Sequence, residues 1–94
     1  MYTIKRTRDF EKSFKKIKLA GLLVKKGVRV EFVIETLALG KKLAPKYKDH
    51  QLRGELKGYR EYHLASDLLL IYKIEEEESL LILVEIGSHA QVFN

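Results

Sequence analysis

The stretch from residue 59 to residue 86 decides the fold, and it reads YREYHLASDLLLIYKIEEEESLLILVEI. Residues 59–65 alternate between polar and apolar side chains, whereas residues 68–74 and 80–86 are two strongly apolar runs. An Ala-Ser-Asp turn separates the first two segments, and an acidic loop, residues 75–79, separates the last two. Alternation and short apolar runs bounded by turn residues are typical of strands. Strands joined by such short connections pair as hairpins, so this stretch predicts an antiparallel sheet with residues 68–74 as its central strand.

Helical spacing replaces this alternation in the first part of the chain. Phe10, Phe14 and Ile17 recur at intervals of four and three residues, and Thr7 or Asp9 can cap the helix that carries them. Residues 2–5 alternate weakly and predict a first strand before that helix. A second apolar stripe at helical spacing runs over residues 30–37 and ends near a glycine at position 40. Two consecutive helices with a short connection are expected to form an antiparallel hairpin.

Turn-forming residues predict a connection and a short strand between the helices and the sheet. Pro45 ends any helix, residues 45–51 read as a polar connection, and residues 53–56 are a short candidate strand. The Gly-Ser pair at 87–88 ends the last strand and leaves residues 89–94 as a tail. Together the elements predict a single α+β domain over residues 1–94. Its N-terminal strand and two-helix hairpin pack on one face of an antiparallel sheet, and the other face is left open to a ligand or partner.

Composition excludes several classes of protein. A chain of 94 residues supports one compact core, and its 46% hydrophobic content is that of a folded domain rather than a disordered tail. There is no cysteine, hence no disulfide framework or thiolate metal site, and no apolar run long enough to span a membrane. The chain starts without the apolar stretch of a signal peptide, so we expect a cytoplasmic protein.

Charge is distributed unevenly along the chain. The net charge of +5 combines 17 basic and 6 acidic residues in positions 1–60 with one basic and 7 acidic residues in positions 61–94. A basic surface built by the first two thirds suits a polyanion or an acidic partner. The simpler interpretation is that two amphipathic helices have lysine-rich solvated faces. Charge therefore supports a polyanion ligand without identifying it.

Three histidines, His50, His63 and His89, lie at the predicted edges of elements in the second half of the chain. Three interpretations are open. They are ordinary surface histidines, or acid–base catalysts near neutral pH, or metal ligands, although no His-x₃-His or His-Glu-x-x-His spacing supports the last. Asp67 follows the second histidine by four residues and is either a turn former or a partner that orients an imidazole. Arg60 is either a phosphate ligand or a solvated strand residue.

Four motifs resemble the YafQ family of bacterial toxins, which belongs to the RelE/ParE superfamily and to type II toxin–antitoxin pairs. The motifs are YKDHQLxG over 47–54, KGYRExH over 57–63, DxxLIYK over 67–73 and GSHxxxF over 87–93. The resemblance extends from the first strand to the last residues, and the block 48–73 is its most specific part. It implies the RelE-like fold, which is similar to that of microbial ribonucleases, with two helices packed on an antiparallel sheet.

The resemblance also implies an activity. YafQ-like toxins are ribosome-dependent endoribonucleases that use no metal or other cofactor, cut mRNA in the decoding site and stop translation. Their catalytic residues correspond to the four positions His50, His63, Asp67 and His89. In such a mechanism His89 is the candidate general acid, one of the other two histidines is the base, and the aspartate holds an imidazole in place. The residues expected to bind RNA or its phosphates are Lys48, Lys57, Arg60 and Phe93.

Two positions depart from the family pattern: Leu68, where some relatives have an aromatic residue that could stack on a base, and position 85. Many members have an arginine two residues before the glycine of the Gly-Ser-His motif, where it can support the phosphate, and this chain has Glu85. A carboxylate there repels a scissile phosphate unless it points away or pairs with a base. Three interpretations follow: the glutamate faces away while Arg60 or a lysine supplies the charge, it takes part in proton transfer, or the chain is a weakened or inactive toxin.

The resemblance implies partners as well. These are a cognate antitoxin, acidic where it covers the basic face, and mRNA on the ribosome, with contacts to ribosomal RNA. Operator DNA is expected to be bound only through the antitoxin complex, and no membrane partner is expected. Two alternatives from other classes are a catalytically silent toxin-fold protein that binds its antitoxin and, ranked below it, a ParE-like poison of DNA gyrase.

Overall fold

The computed structural model describes residues 1–21, 29–40, 50–51, 58–65 and 67–93, and at positions 50, 51 and 93 the backbone alone. Within these residues the elements follow one another as β1 (Thr3–Arg6), α1 (Arg8–Leu19), α2 (Val30–Ala38), β2 (His50–Gln51), β3 (Arg60–Ala65), β4 (Leu68–Glu75), β5 (Leu80–Gly87) and α3 (His89–Phe93). The predicted α+β class, with a first strand and two helices before a run of strands, is confirmed. None of the described helices is both long and apolar enough to cross a membrane.

The described strands form one sheet in the order β1-β5-β4-β3-β2. Strands β3 to β5 pair antiparallel, as the sequence predicts, and β2 pairs antiparallel with β3. The first strand instead pairs parallel with β5, from Thr3 opposite Leu80 to Arg6 opposite Leu83, so the whole sheet is mixed. A parallel pair needs a long crossover between its strands, and the helical segment that follows β1 supplies it.

The core lies between the helices and one face of the sheet. Both helices bury their apolar stripes against it, and the strand residues of that face complete it: Phe10, Ile17, Val30, Val33, Ile34, Leu37, Tyr62, Leu64, Leu70, Tyr72, Leu81, Leu83 and Ile86. Strand β4 is buried on both faces, because Leu69 and Ile71, which point to the opposite side, are 0% and 3% exposed. The second face is therefore not open along β4, contrary to the prediction. The short helix α3 packs against β4 and β5.

Thr7 connects α1 to the sheet. Its hydroxyl oxygen accepts a hydrogen bond from the backbone N–H of Phe10 at 3.1 Å, which confirms the predicted N-cap. The same hydroxyl lies 2.9 Å from the carbonyl oxygens of Leu83 and Val84 in β5. Asp9 lies in the first helical turn instead of at the cap. Thr7 thus fixes the start of α1 relative to the middle of β5.

Glycine conformation explains where α2 ends. The helix closes at Ala38 and Leu39, and Gly40 follows with φ of +77°, a left-handed conformation that costs glycine little. This is the predicted end of the second helix. The predicted helix break near residue 27, the connection over 45–49 and the candidate strand over 53–56 lie outside the described residues.

Two local predictions are wrong. His50 was expected in a connection, and its backbone belongs to β2, where it pairs with Glu61. Residues 89–93 were expected in a tail, and they form helix α3. A capping box explains that helix: the Ser88 hydroxyl accepts from the backbone N–H of Gln91 at 3.2 Å, and the Gln91 side chain accepts from the backbone N–H of Ser88 at 2.9 Å.

Gly87 leaves space for the same capping box. A Cβ atom at this position would lie 2.8 Å from the Gln91 side-chain oxygen, closer than such contacts occur. A side chain at position 87 would displace the Gln91 amide from the position in which it closes the cap. The Gly-Ser-His motif therefore has a structural explanation: the glycine ends β5, the serine caps α3, and the histidine is the first residue of the helix.

Replacing Thr7 with alanine tests the connection between α1 and β5. We expect Thr7→Ala to lower the free energy of unfolding by about 1–2 kcal/mol, because it removes the helix cap and the hydrogen bond to β5 together. Thr36→Ala is the matched control, since that exposed hydroxyl only donates to the Phe32 carbonyl within α2. Its effect should stay within about 0.5 kcal/mol. Urea unfolding followed by circular dichroism measures both, and equal losses would contradict the connection.

Candidate active site

The register of β4 and β5 brings Asp67 and His89 together. Leu69 of β4 pairs with Gly87 of β5. Asp67 lies two residues before Leu69, and His89 lies two residues after Gly87. Both therefore lie at the open end of the β4–β5 hairpin, next to each other. Asp67 Oδ1 lies 2.8 Å from His89 Nδ1 and accepts from the His89 backbone N–H at 3.1 Å. An ionised carboxylate only accepts hydrogen bonds, so Nδ1 carries the proton of this contact. The other ring nitrogen, Nε2, lies 3.8 Å from Oε1 of Glu61.

A buried carboxylate lies beside two imidazoles. Glu61 and His63 are two residues apart in β3 and so share a face of the sheet. The Glu61 side chain is only 7% exposed, and its Oε1 lies 3.2 Å from His63 Nε2 and 3.8 Å from His89 Nε2. The two imidazole rings are 5.8 Å apart between centroids. Burial of a carboxylate is costly without polar partners, and the imidazoles provide them.

Three of the four predicted catalytic residues therefore meet in one place, and Glu61 joins them. The cluster comprises Glu61, His63, Asp67 and His89, from β3, the turn before β4 and the start of α3. The backbone of the fourth predicted residue, His50, pairs with Glu61, so β2 runs beside this part of β3. The His50 side chain lies outside the described residues, as do Lys48, Lys57 and the side chain of Phe93.

Arg60 lies on the other face of the sheet. Strand alternation separates it from Glu61 and His63, and its Nε donates a hydrogen bond to the Tyr72 hydroxyl at 3.3 Å. Tyr72 belongs to the core beneath the helices. The structure does not bring Arg60 into the cluster, and its role as a phosphate ligand stays a prediction.

Glu85 faces α1. The pairing of β4 with β5 is shifted by a bulge at Val84, which interrupts the alternation of β5 just before this residue. Glu85 lines a cleft together with Ser13, Lys16 and Ile17 of α1. Burial raises the pKa of its carboxyl, and the negative charge of Asp9 raises it further. Glu85 also pairs with Ile71, whose neighbour on the other side is Glu61, and Gln91 of α3 lines the same cleft, so the choice among the three interpretations stays a prediction.

Sequence reasoning missed Glu61 as a site residue. A signal was available, because a glutamate two residues before a histidine in a predicted strand shares its face. What the sequence does not reveal is that this glutamate is buried, at 6% exposure.

The described chain has two helices on a mixed sheet and a histidine–carboxylate cluster at the open end of a hairpin, and the solved structures that share this architecture are bacterial toxins. A metal-bound toxin from Helicobacter pylori superposes with a TM-score of 0.80 at 45% identity, covering 99% of this chain and 100% of that one. The toxin in the Escherichia coli DinJ–YafQ complex superposes with a TM-score of 0.84 at 29% identity, and both chains are covered completely.

Sequence comparison narrows the class to one family. The family model for the bacterial toxin of a type II toxin–antitoxin system, YafQ, matches residues 2–94, and the chain belongs to that family. The mRNA interferase toxin YafQ of Escherichia coli strain K12 is 47% identical over 47 residues, which are 50% of this chain and 49% of that protein. The alignment thus spans about half the length of the curated relatives that the chain matches. The resemblance seen in the four motifs is confirmed.

The raised pKa of Glu85 predicts a pH-dependent stability. An acid whose pKa is raised by folding destabilises the folded state while it is ionised, and the penalty disappears as the pH falls through its pKa. We therefore expect Glu85→Gln to raise the melting temperature near pH 7 and to raise it less as the pH is lowered toward about 4. Thermal unfolding at several pH values measures this. Glu35→Gln, at an exposed position of α2, is the control, and a gain that is constant or grows on acidification contradicts the placement of Glu85.

Proposed function

We propose that this chain is the toxin of a type II toxin–antitoxin pair and that it cleaves mRNA on the ribosome without a metal ion. Family membership and the Escherichia coli relative named mRNA interferase support the activity. The observation that carries the proposal is the cluster of Glu61, His63, Asp67 and His89. It places two imidazoles and two carboxylates where acid–base chemistry can be shared between them.

The proposed reaction is transfer of the phosphoryl group to the neighbouring 2′-oxygen. A base removes the 2′-hydroxyl proton, the 2′-oxygen attacks the adjacent phosphorus, and the bond to the 5′-oxygen breaks as an acid protonates it. The products are a 2′,3′-cyclic phosphate and a 5′-hydroxyl. No oxidant or cofactor is needed, because proton transfer and charge stabilisation are sufficient.

His89 is the proposed general acid. Asp67 holds Nδ1 of this imidazole at 2.8 Å and stabilises its protonated form, so that Nε2 can deliver a proton to the leaving oxygen. The backbone contact from the same carboxylate fixes the start of α3 and hence the position of the ring. Asp67 is thus a positioning residue whose effect is transmitted through His89.

The proposed base lies on the β3 side of the site. The pair formed by His63 and Glu61, joined at 3.2 Å, can accept the 2′-hydroxyl proton and share it. His50 is the second candidate, since its backbone runs beside Glu61 in the neighbouring strand. The proposed base lies on β3 and the proposed acid on α3, so the substrate is proposed to bind between these two elements.

Binding of RNA is assigned to the cationic part of the chain. Lys48 and Lys57, with Phe93 as an aromatic partner for a base, are the proposed contacts near the cluster. In this proposal Glu85, which lines a cleft with Ser13 and Lys16 of α1, leaves the phosphate to the histidines and the lysines. In this proposal the chain is an active toxin rather than the silent toxin-fold alternative. The cluster itself favours an RNase over a gyrase poison, which does not need these histidines.

The proposed protein partner is an antitoxin. The Escherichia coli YafQ forms a complex with DinJ, and the first 60 residues of this chain carry 17 basic side chains that an acidic antitoxin would cover. Such a partner competes with RNA for the same surface. The same proposal includes three further points. They are contacts with ribosomal RNA, binding of operator DNA through the antitoxin complex, and a cytoplasmic location.

Substitution of His89 tests the catalytic assignment. In a cleavage assay with ribosomes programmed by a defined mRNA, His89→Gln should reduce the rate by about 10²- to 10⁴-fold, because the general acid is lost. Asp67→Asn should also slow cleavage, whereas the matched control Asp9→Asn on α1 should cleave at the normal rate. Full activity in the His50→Ala and His89→Ala variants together would contradict metal-free histidine catalysis.

Growth of a bacterium that lacks any antitoxin separates the toxin from its alternatives. Expression of the chain should stop growth and protein synthesis, and expression of His89→Gln at the same level should not. Normal growth with the unmodified chain would indicate the silent binder instead. Growth arrest with intact translation and altered plasmid supercoiling would indicate a gyrase poison.

A further inference from the structure

We propose that the cleft beside Glu85 binds a guanine base of the RNA, and that Glu85 is a specificity-determining residue. The cleft lies between α1, the end of β5 and α3, and its lining residues are Ser13, Lys16, Ile17, Glu85, Ile86 and Gln91. Binding of the base is independent of cleavage. The effect on cleavage rests on the proposed function, because it needs the RNA to be cut at the histidines.

The Glu85 carboxylate is an acceptor that the protein leaves to a ligand. Among the described residues, no hydrogen-bond donor or cation lies within bonding distance of its oxygens. Partial burial raises the pKa of this carboxyl, and the negative charge of Asp9 raises it further. A ligand that brings hydrogen-bond donors therefore stabilises the ionised form, whereas a phosphate is repelled.

The register of the sheet places this cleft beside the histidine–carboxylate cluster. Ile71 of β4 pairs with Glu61 on one side and with Glu85 on the other, so these three residues lie in one row. Neighbouring strands are about 4.8 Å apart, which puts the backbone of Glu85 about 10 Å from that of Glu61. Helix α3 also joins the two places, because it begins with His89 and carries Gln91. RNA whose phosphate lies at the histidines can thus place a neighbouring base in the cleft.

The size and walls of the cleft suit a single base. Its volume is about 260 Å³, slightly below the range of about 300–1,000 Å³ that is typical of pockets for drug-sized ligands. Ile17 and Ile86 are buried apolar side chains that offer a wall for a flat ring. The other lining residues are polar and can recognise the edge of that ring.

The carboxylate selects guanine among the four bases. It has two acceptor oxygens side by side, and the Watson–Crick edge of guanine presents two neighbouring donors, N1–H and N2–H. Adenine and cytosine have a ring-nitrogen lone pair next to their amino group, and uracil has a carbonyl on each side of its single N–H. Each of these three bases would therefore direct an acceptor at the carboxylate of Glu85.

The remaining polar groups match the opposite edge of guanine. Guanine carries two acceptors there, O6 and N7. The ammonium group of Lys16 is a donor at the cleft. The Gln91 side-chain oxygen already accepts from the backbone N–H of Ser88 at 2.9 Å, so the amide nitrogen of Gln91 is the group that can donate to a ligand.

Binding of RNA that cannot be cleaved tests the pocket directly. The 2′-O-methyl trinucleotides UGU, UIU and UAU, where I is inosine, are titrated into the purified chain by calorimetry and two-dimensional NMR. We expect UGU to bind about 5- to 150-fold more tightly than UAU, the range that one bidentate contact to a base provides. Inosine lacks the N2 amino group, so UIU should lose most of this preference. UGU should also shift the backbone amide signals of Ser13, Glu85 and Gln91.

The variant Glu85→Gln assigns the preference to the carboxylate. A glutamine offers one acceptor and one donor group, so it cannot accept from both N1–H and N2–H. We expect this variant to bind UGU and UAU with similar affinity and to bind UAU as the unmodified chain does. Glu77→Gln, at an exposed position in the loop after β4, removes the same charge and should keep the preference. Circular dichroism confirms that each variant is folded.

Cleavage on the ribosome tests the consequence for specificity. The mRNAs differ only in having G or A at one position of the codon in the decoding site, and each of the three positions is tested in turn. The unmodified chain should cleave faster with G than with A at one of these positions. Glu85→Gln should lose this preference.

The outcomes separate the pocket from the reaction. Equal affinity for the three trinucleotides, or no measurable binding of any of them, would overturn the pocket. A preference for UGU that persists in folded Glu85→Gln would overturn the role of Glu85. A preference in binding without one in cleavage would overturn the effect on cleavage. Binding of guanine that depends on Glu85, in a chain that does not cleave mRNA on the ribosome, would support the pocket and contradict the proposed function. Preference for guanine in binding and in cleavage, both lost in Glu85→Gln, is the expected result.

Discussion

The register between β4 and β5 is the constraint on which the site depends. Pairing of Leu69 with Gly87 places the turn before β4 next to the start of α3, and Asp67 and His89 meet there although 22 residues separate them. The same strand β4 holds β3 on its other side, with His63 opposite Leu69, so one row across the sheet positions both histidines. A slip of one residue would move every side chain of the moved strand to the other face and dismantle the cluster.

Much of this architecture could be predicted because its signals are local. The apolar run of β4, the alternation in β3 and the helical stripes each indicate an element within a short window of sequence. The parallel position of β1 could not be obtained this way, since strand order is decided by which edges remain exposed after the helices have packed. Helix α3 was missed for a different reason. A helix of five residues is too short for its apolar spacing to be recognised, although Ser88 and Gln91 form its capping box.

The residues of the candidate site, like the elements of the fold, could be predicted from the sequence only in part. His63, Asp67 and His89 could be singled out by residue type and by the family resemblance, since imidazoles and a turn carboxylate are recognisable without coordinates. The side chains that each of these three residues contacts could not be predicted, because contacts between strands depend on the register of the sheet. Glu61 is the sharpest example: a glutamate in a predicted strand is ordinarily solvated, and only packing shows that it is buried between two imidazoles. The orientation of Glu85 likewise depends on the bulge at Val84.

The parallel pairing of β1 has a consequence for the order in which the molecule assembles. Strands β3, β4 and β5 are joined by turns of two and four residues, so their pairing closes small loops at little entropic cost. Pairing of Thr3 with Leu80 closes a loop of nearly the whole chain, and such non-local contacts form slowly. The site residues all belong to the local meander and the helix that follows it. A chain from which the first strand has detached therefore keeps its histidines and carboxylates together, even while its core beneath α1 is loosened.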